Sequence, residues 1–209
     1  MTGCIAITCA DTGRYSIFSA ALARLEKPAG TNVYMATGSD REQGRNQLVK
    51  TMLDSGDDWL LFLDDDQVFE HDLLVRLLAH EVDIVGGLYL RRDMPFTPVC
   101  YSDRLADGRY VPLDLSQYPQ DGLVQVAAVG TGGMLVQRTI FEEMEDPWFI
   151  RGELTEDMIF CQAQKGPIYC DLGARLGHMT TTAIWPSTIE GGWAIGFNVS
   201  GDVNFYRPL

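Results

Sequence analysis

The chain has 209 residues, 46% of them hydrophobic, enough to bury one sizeable core. Its 29 acidic side chains outnumber 16 Lys and Arg for a formal charge of −13, which weighs against a protein that gains affinity by neutralising nucleic-acid phosphates or anionic lipid. No apolar run approaches the roughly 20 residues that span a bilayer, and no charged segment leads into a secretory stretch, so a cytoplasmic protein without a membrane partner is expected.

Four short apolar runs punctuate the first 90 residues: "CIAIT" (4–8), "NVYMAT" (32–37), "WLLFL" (59–63) and "VDIVGG" (82–87). Each is rich in β-branched or aromatic residues and ends in polar or glycine punctuation, the pattern of strands buried on both faces. Amphipathic stretches lie between them: Ile17 to Leu25, Glu42 to Leu53 with Leu48, Val49, Met52 and Leu53 on one side, and Leu73 to Leu78. Alternating strand and helix predicts an α/β domain with a mostly parallel sheet and helices on both faces. From Arg91 to Gln125 the chain becomes rich in Pro, Asp, Gly and Tyr, an excursion with one hairpin expected at the Asp-Gly of "ADGRY". "LVQVAAVGTGGMLVQ" returns as strand, "RTIFEEM" as helix, and the aromatic, glycine-rich tail has no clear period; it folds over the core or reaches a second subunit. The five cysteines are scattered without a Cys-x-x-Cys pair and read as buried, reduced thiols.

Chemistry gathers at strand ends, where ligands of such sheets bind. "WLLFL" runs into Asp64, Asp65 and Asp66. In extended backbone Asp64 and Asp66 point to one side and Asp65 to the other, so the first two converge. Two convergent carboxylates call for a hard divalent cation such as Mg²⁺ or Mn²⁺, which leaves positions open for phosphate oxygens; helix capping alone requires fewer acids. Upstream, Ser39 and Glu42 have capping-box spacing, while Arg41 and Arg45 fall on one helical face with the donors a diphosphate needs. Glu156 and Asp157 open a later helix, where they either stabilise its N-terminus or supply a general base. His178, after "IYCDLG", is a core histidine or completes a metal site. His71 and His80 are given no chemistry.

Taken together, "FLDDD", the upstream "GRNQLV" helix, "GTGGMLVQRTIF", "TEDMIFC" and a late "GH" resemble nucleotide-sugar-dependent glycosyltransferases of the GT-A fold, in the broad family 2 group. The likeness extends over most of residues 1–185 and is similar to small bacteriophage-encoded members. It implies a single GT-A catalytic domain over 1–185, Rossmann-like and flanked by helices, with 186–209 as a tail. It also implies a metal-dependent transfer of one sugar from a UDP- or GDP-sugar to an acceptor hydroxyl. On that resemblance Thr8 to Asp11 lie along the nucleoside and Asp64 contacts ribose or the ion, with Asp65 beside it. Asp66 and His178 would ligate Mn²⁺ or Mg²⁺, Arg41 and Arg45 would approach the phosphates, and Gly132 and Gly133 would let backbone near the donor sugar or acceptor. Asp157, with Glu156 beside it, would be the base of an inverting transfer. A late histidine also occurs in retaining enzymes of this fold, so both stereochemical outcomes stand. The Gln-x-x-Arg-Trp element of processive relatives is missing after Glu156-Asp157, which implies one transfer per encounter. The acceptor is a protein, a small glycan or modified DNA, the charge weighing against the last. Other classes consistent with the chain are a nucleotidyltransferase, which "CADTGRYS" fits poorly, and a non-catalytic sugar- or protein-binding module using Trp185 and Trp193.

Overall fold

Apolar residues run unbroken through 4–8 and 59–63 because both faces of the sheet are covered there, whereas the run at 32–37, expected to be buried on both faces, is an edge strand with Val33 and Met35 exposed. In the computed structural model, which describes residues 2–9, 16–38, 40–180, 183–199 and 202–206, β1 (Gly3–Cys9), β2 (Asn32–Thr37) and β3 (Trp59–Asp64) lie parallel in the order β2-β1-β3. Successive side chains alternate between faces. Cys4, Ala6, Leu60 and Phe62 therefore enter one core cluster, while Ile5, Ile7, Leu61 and Leu63 enter another. The first cluster is closed by α2 (Arg41–Ser55), α4 (Arg138–Glu142) and α5 (Glu156–Ala163), and the second by α1 (Ser16–Arg24) and α3 (Leu73–Leu78). Helix α2 stops at Gly56, whose φ of 74° lets its amide turn back onto the carbonyls of Leu53 and Met52.

Past β3 the sheet continues through β10 (Gly133–Gln137), β5 (Ile84–Leu88) and β11 (Ile168–Met179). Strand β10 runs antiparallel to both β3 and β5, and β11 runs parallel to β5. Among the described residues, five of these six central strands thus share one direction, the mostly parallel sheet expected of an α/β chain.

The "ADGRY" hairpin forms as anticipated: β6 (Cys100–Arg104) pairs with β7 (Tyr110–Pro112) around Gly108 at φ 87°, and β9 (Ala128–Val129) joins β6 in a small second sheet. Strand β8 (Leu123–Val126) pairs instead with β11. The tail is more regular than its composition suggests. Strands β12 (Ala183–Ile189), β13 (Gly192–Val199) and β14 (Asp202–Tyr206) extend the sheet antiparallel beyond β11. Glu190 and Gly191, both at positive φ, make the two-residue turn between β12 and β13. Ser39 of the anticipated capping box lies outside the described residues, and α2 takes Asp40 as its N-cap. Among the described residues no helix is long and apolar enough to cross a membrane.

Candidate active site

A cavity of about 410 Å³ opens at the C-terminal ends of β1, β3 and β5. Thr8 and Cys9 come from the end of β1, Asp64 from the end of β3, and Tyr89, Arg91, Arg92 and Asp93 from the chain leaving β5. Arg41 and Arg45 come from the first turns of α2, Thr155, Glu156 and Asp157 from the start of α5, and His178 from the far end of β11. Nine positions singled out from sequence therefore share one wall: Thr8, Arg41, Arg45, Asp64, Asp65, Asp66, Glu156, Asp157 and His178.

The aspartate triplet is arranged differently from a continuing strand. Strand β3 ends at Asp64, and Asp65 and Asp66 form a tight turn into a short strand, β4 (Gln67–Phe69). The alternation rule lapses at that turn, so Asp65 lines the same cavity instead of facing away. Strand β4 pairs antiparallel with β11, Gln67 opposite His178, and this register sets Asp66 beside the imidazole.

Two electrostatic subsites result. In one, Arg45 is 2% exposed; its Nη2 donates to Asp64 Oδ1 at 3.0 Å and its Nη1 to Glu156, while Thr8 Oγ1 donates to the same Asp64 oxygen at 3.1 Å. Burial disfavours the guanidinium charge, but the carboxylates of Asp64, Glu156 and Asp157 more than offset it and hold the proton more tightly than usual. In the other, Arg92 Nη1 donates to Asp66 Oδ2 at 3.0 Å and His178 Nε2 lies 3.5 Å from that oxygen. Burial works against the Asp66 charge, yet the hydrogen bond and charge of His178 and the charge of Arg92 keep its carboxyl below the usual aspartate range.

His178 Nδ1 sits 2.8 Å from the Leu90 carbonyl, which can only accept, so Nδ1 carries a proton and Nε2 is the nitrogen turned toward Asp66, able to act as an acceptor only where it does not donate to that carboxylate. Asp66 Oδ1 is buried without a hydrogen-bond partner among the described residues. An acceptor nitrogen facing a carboxylate with one unsatisfied oxygen suits a divalent cation. Asp64, by contrast, spends its Oδ1 on Arg45 and Thr8, and the described residues contain no group of three or more His, Cys, Asp or Glu close enough to enclose an ion. The residues present fit a cation at Asp66 and His178 rather than one ringed by all three expected ligands.

Asp157 accepts from its own helix start: Thr155 Oγ1 and the Met158 amide, the latter at 2.9 Å, both donate to Oδ1. Burial pushes its carboxyl above the usual aspartate value despite Arg45 nearby. A carboxylate raised toward neutrality in a cleft is suited to take a proton.

Gly132 and Gly133 do not line the cavity. A Cβ on Gly133 would meet Leu176 at 2.6 Å and one on Gly132 would meet Gln67 at 2.8 Å, so close core packing, not approach to a ligand, accounts for these glycines. The Gly132 amide donates to Tyr89 Oη at 3.2 Å, steadying a ring that stands edge-on to His178. Asp11 lies outside the described residues. Tyr89, Arg91 and Arg92 were not singled out from sequence, although the strand-end rule applied to "VDIVGG" pointed at the residues just after it.

The chain matches no protein-family model and no curated protein. Among solved structures it is similar to A197 from STIV, at 14% identity and a TM-score of 0.70, over 99% of this chain and 95% of that one. It is also similar to S. aureus TarS, at 13% identity and a TM-score of 0.52. That alignment covers 82% of this chain and 35% of TarS. The fold is GT-A-like. At these identities the likeness speaks for the fold, and the chemistry has to come from the cavity itself.

Proposed function

We propose that the protein is a glycosyltransferase that moves one sugar from a nucleotide-diphosphate donor to an acceptor hydroxyl, with inversion. The observation that carries this reading is a single cavity at the C-terminal mouth of the sheet whose lining includes both Asp157 and the Asp66–His178 pair. The acceptor oxygen attacks the anomeric carbon as the bond to the diphosphate breaks, the electron pair leaving with the nucleotide and the hydroxyl proton passing to Asp157. Glu156 is committed to Arg45, which leaves Asp157 as the better base. Arg41, Arg91 and Arg92 offer donors to phosphate oxygens.

Six carboxylates outnumber four arginines around the cavity, so a diphosphate needs further positive charge there. An Mn²⁺ or Mg²⁺ ion held by Asp66 and His178 would supply it and stabilise the leaving group as a Lewis acid. Asp64, with Thr8, would then receive the nucleoside side of the donor.

The test is incubation with a panel of UDP- and GDP-sugars plus Mn²⁺ or Mg²⁺, following released nucleoside diphosphate, with titration calorimetry alongside. Slow donor hydrolysis by the protein and its loss in Asp66→Ala are expected. Neither release nor donor binding from any member of the panel would overturn the reading.

A further inference from the structure

A second, larger cavity of about 740 Å³ shares a wall with the candidate active site. The chain leaving β5 folds back as a narrow hairpin, in which Leu90 bridges Pro98 and the Arg91 amide donates to the Thr97 carbonyl at 2.9 Å. Arg91, Arg92 and Asp93 line the candidate active site, whereas Leu90, Phe96, Thr97 and Pro98 line the second cavity. Leu90 joins the two: its carbonyl meets His178 Nδ1 at 2.8 Å, while the residue itself walls the second cavity. Phe96 holds a φ of 56°, a conformation unfavourable for a bulky side chain, and packing against Leu90, Ile184 and Ile195 keeps it there.

The lining mixes aromatic rings with uncommitted polar groups. Phe96, Tyr118 and Trp193 supply the rings, and Arg175 lies over the Trp193 indole at 4.9 Å. Thr97 Oγ1, Tyr118 Oη and Gln120 Oε1 make no hydrogen bond among the described residues, and none of the three is sealed from solvent; the closed atom of Gln120 is Nε2, which takes no part. A purely apolar ligand would strip water from these groups without replacing it, at about 1–3 kcal/mol for each one left unmatched. An anion would meet the Asp114 carboxylate and a chain of net charge −13. A pyranose answers both features. Its C–H faces are apolar and lie flat on aromatic rings, while its hydroxyls project around the edge and both donate and accept, as two hydroxyls and an amide oxygen require.

We propose that this cavity binds a neutral oligosaccharide, the acceptor of the transfer, with its reacting end directed past the Leu90–Pro98 hairpin toward Asp157. Sugar binding follows from the cavity itself, and the acceptor role rests on the transferase reading. The volume falls within the roughly 300–1,000 Å³ of small-molecule sites, which likewise combine apolar walls with a few placed polar groups.

The experiment uses the whole chain without nucleotide and three probes: maltotriose, cellotriose and tri-N-acetylchitotriose. In saturation-transfer NMR at least one should receive magnetisation from the protein. In an isotope-labelled sample that trisaccharide should shift the indole N–H signal of Trp193 and leave those of Trp59 and Trp148, which are buried in the core. Thr97→Val and Tyr118→Phe each remove one hydroxyl and keep the shape of the side chain, so each should weaken binding about two- to tenfold, with native circular dichroism. No transfer to any of the three, binding that leaves the Trp193 signal in place, wild-type affinity in both folded variants, or uptake of acetophenone or a Gly-Ser decapeptide instead of the sugars would each overturn the assignment. Donor hydrolysis by a protein that binds no trisaccharide sinks this assignment and leaves the transferase reading intact. A trisaccharide held at Trp193 by a protein inert toward every donor removes the acceptor role together with that reading.

Discussion

Replacing Arg45 by Met keeps the length and apolar stem of the side chain but strands two carboxylates in the cavity wall. Unit charges about 4 Å apart at an effective dielectric near 20 attract by roughly 4 kcal/mol. Arg45 is nearly inaccessible, whereas the Asp64 side chain is 30% exposed, so solvent screens part of that pair. Removing one member of a buried pair costs about 3–5 kcal/mol, and the low end applies here. For a chain of this size 1 kcal/mol moves Tm by roughly 2–4 °C, which gives a drop of about 6–12 °C by calorimetry at pH 7. Arg45→Met/Asp64→Asn/Glu156→Gln, which neutralises the whole cluster, should recover at least half the loss. An Arg45→Met protein melting within 1 °C of wild type, or a triple variant no more stable than the single one, would refute this account of the cluster.

Asp157→Asn should reduce donor turnover by about 10²–10⁴-fold while leaving Tm nearly unchanged; in the wild type, activity should fall on the acid side at a pH above the ordinary aspartate range, because raised Asp157 must be ionised to accept a proton. Arg92→Met removes the guanidinium that competes for Asp66 Oδ2. Since Arg92 is 41% exposed the pair is weak, so Mn²⁺ binding to the protein alone should tighten by only about two- to fivefold, read by electron paramagnetic resonance; weaker binding would count against an ion at Asp66. Asp171 is fully buried and accepts from Arg76 Nε at 2.6 Å, His80 Nε2 at 2.7 Å and the Gly173 amide at 2.9 Å. Asp171→Asn should cost about 3 kcal/mol, and denaturant midpoints should show it. Burial works against the Asp171 charge, but these donors hold its carboxyl below the usual range, so its contribution is present above about pH 3.9 and disappears only as pH falls through the lower folded value.

Local periodicity was enough for the first half of the fold. The runs at 4–8 and 59–63 and the helices between them carry their own burial pattern, and the strand-end rule located the cavity, but the run at 32–37 looked equally buried although it forms the exposed edge of the sheet. What escaped was set by partners far away in sequence. Asp65 and Asp66 read as a continuing strand because nothing in "DDDQVF" reveals that Gln67 pairs with His178, some 111 residues later. Gly132 and Gly133 read as ligand-facing because a glycine's lack of a side chain shows only that something comes close; here it is Leu176 and Gln67. The tail lacked a legible period because its strands mix apolar, polar and glycine residues without strict alternation, and the Glu190-Gly191 turn between β12 and β13 was not anticipated. His80, given no chemistry from its helical setting, found Asp171 across the sheet.

Strand β10 separates β3 from β5 and is supplied by residues 133–137, long after both neighbours have left the ribosome. During synthesis β3 and β5 therefore have no way to zip together directly, and the half-sheet β2-β1-β3 must wait with a hydrophobic rim uncovered. Nascent chains arrested before β10 emerges are expected to be the sticky, chaperone-dependent ones. The same ordering completes the cavity late, for Asp64 and Arg45 are made early, whereas Asp157 and His178, on α5 and β11, follow β10.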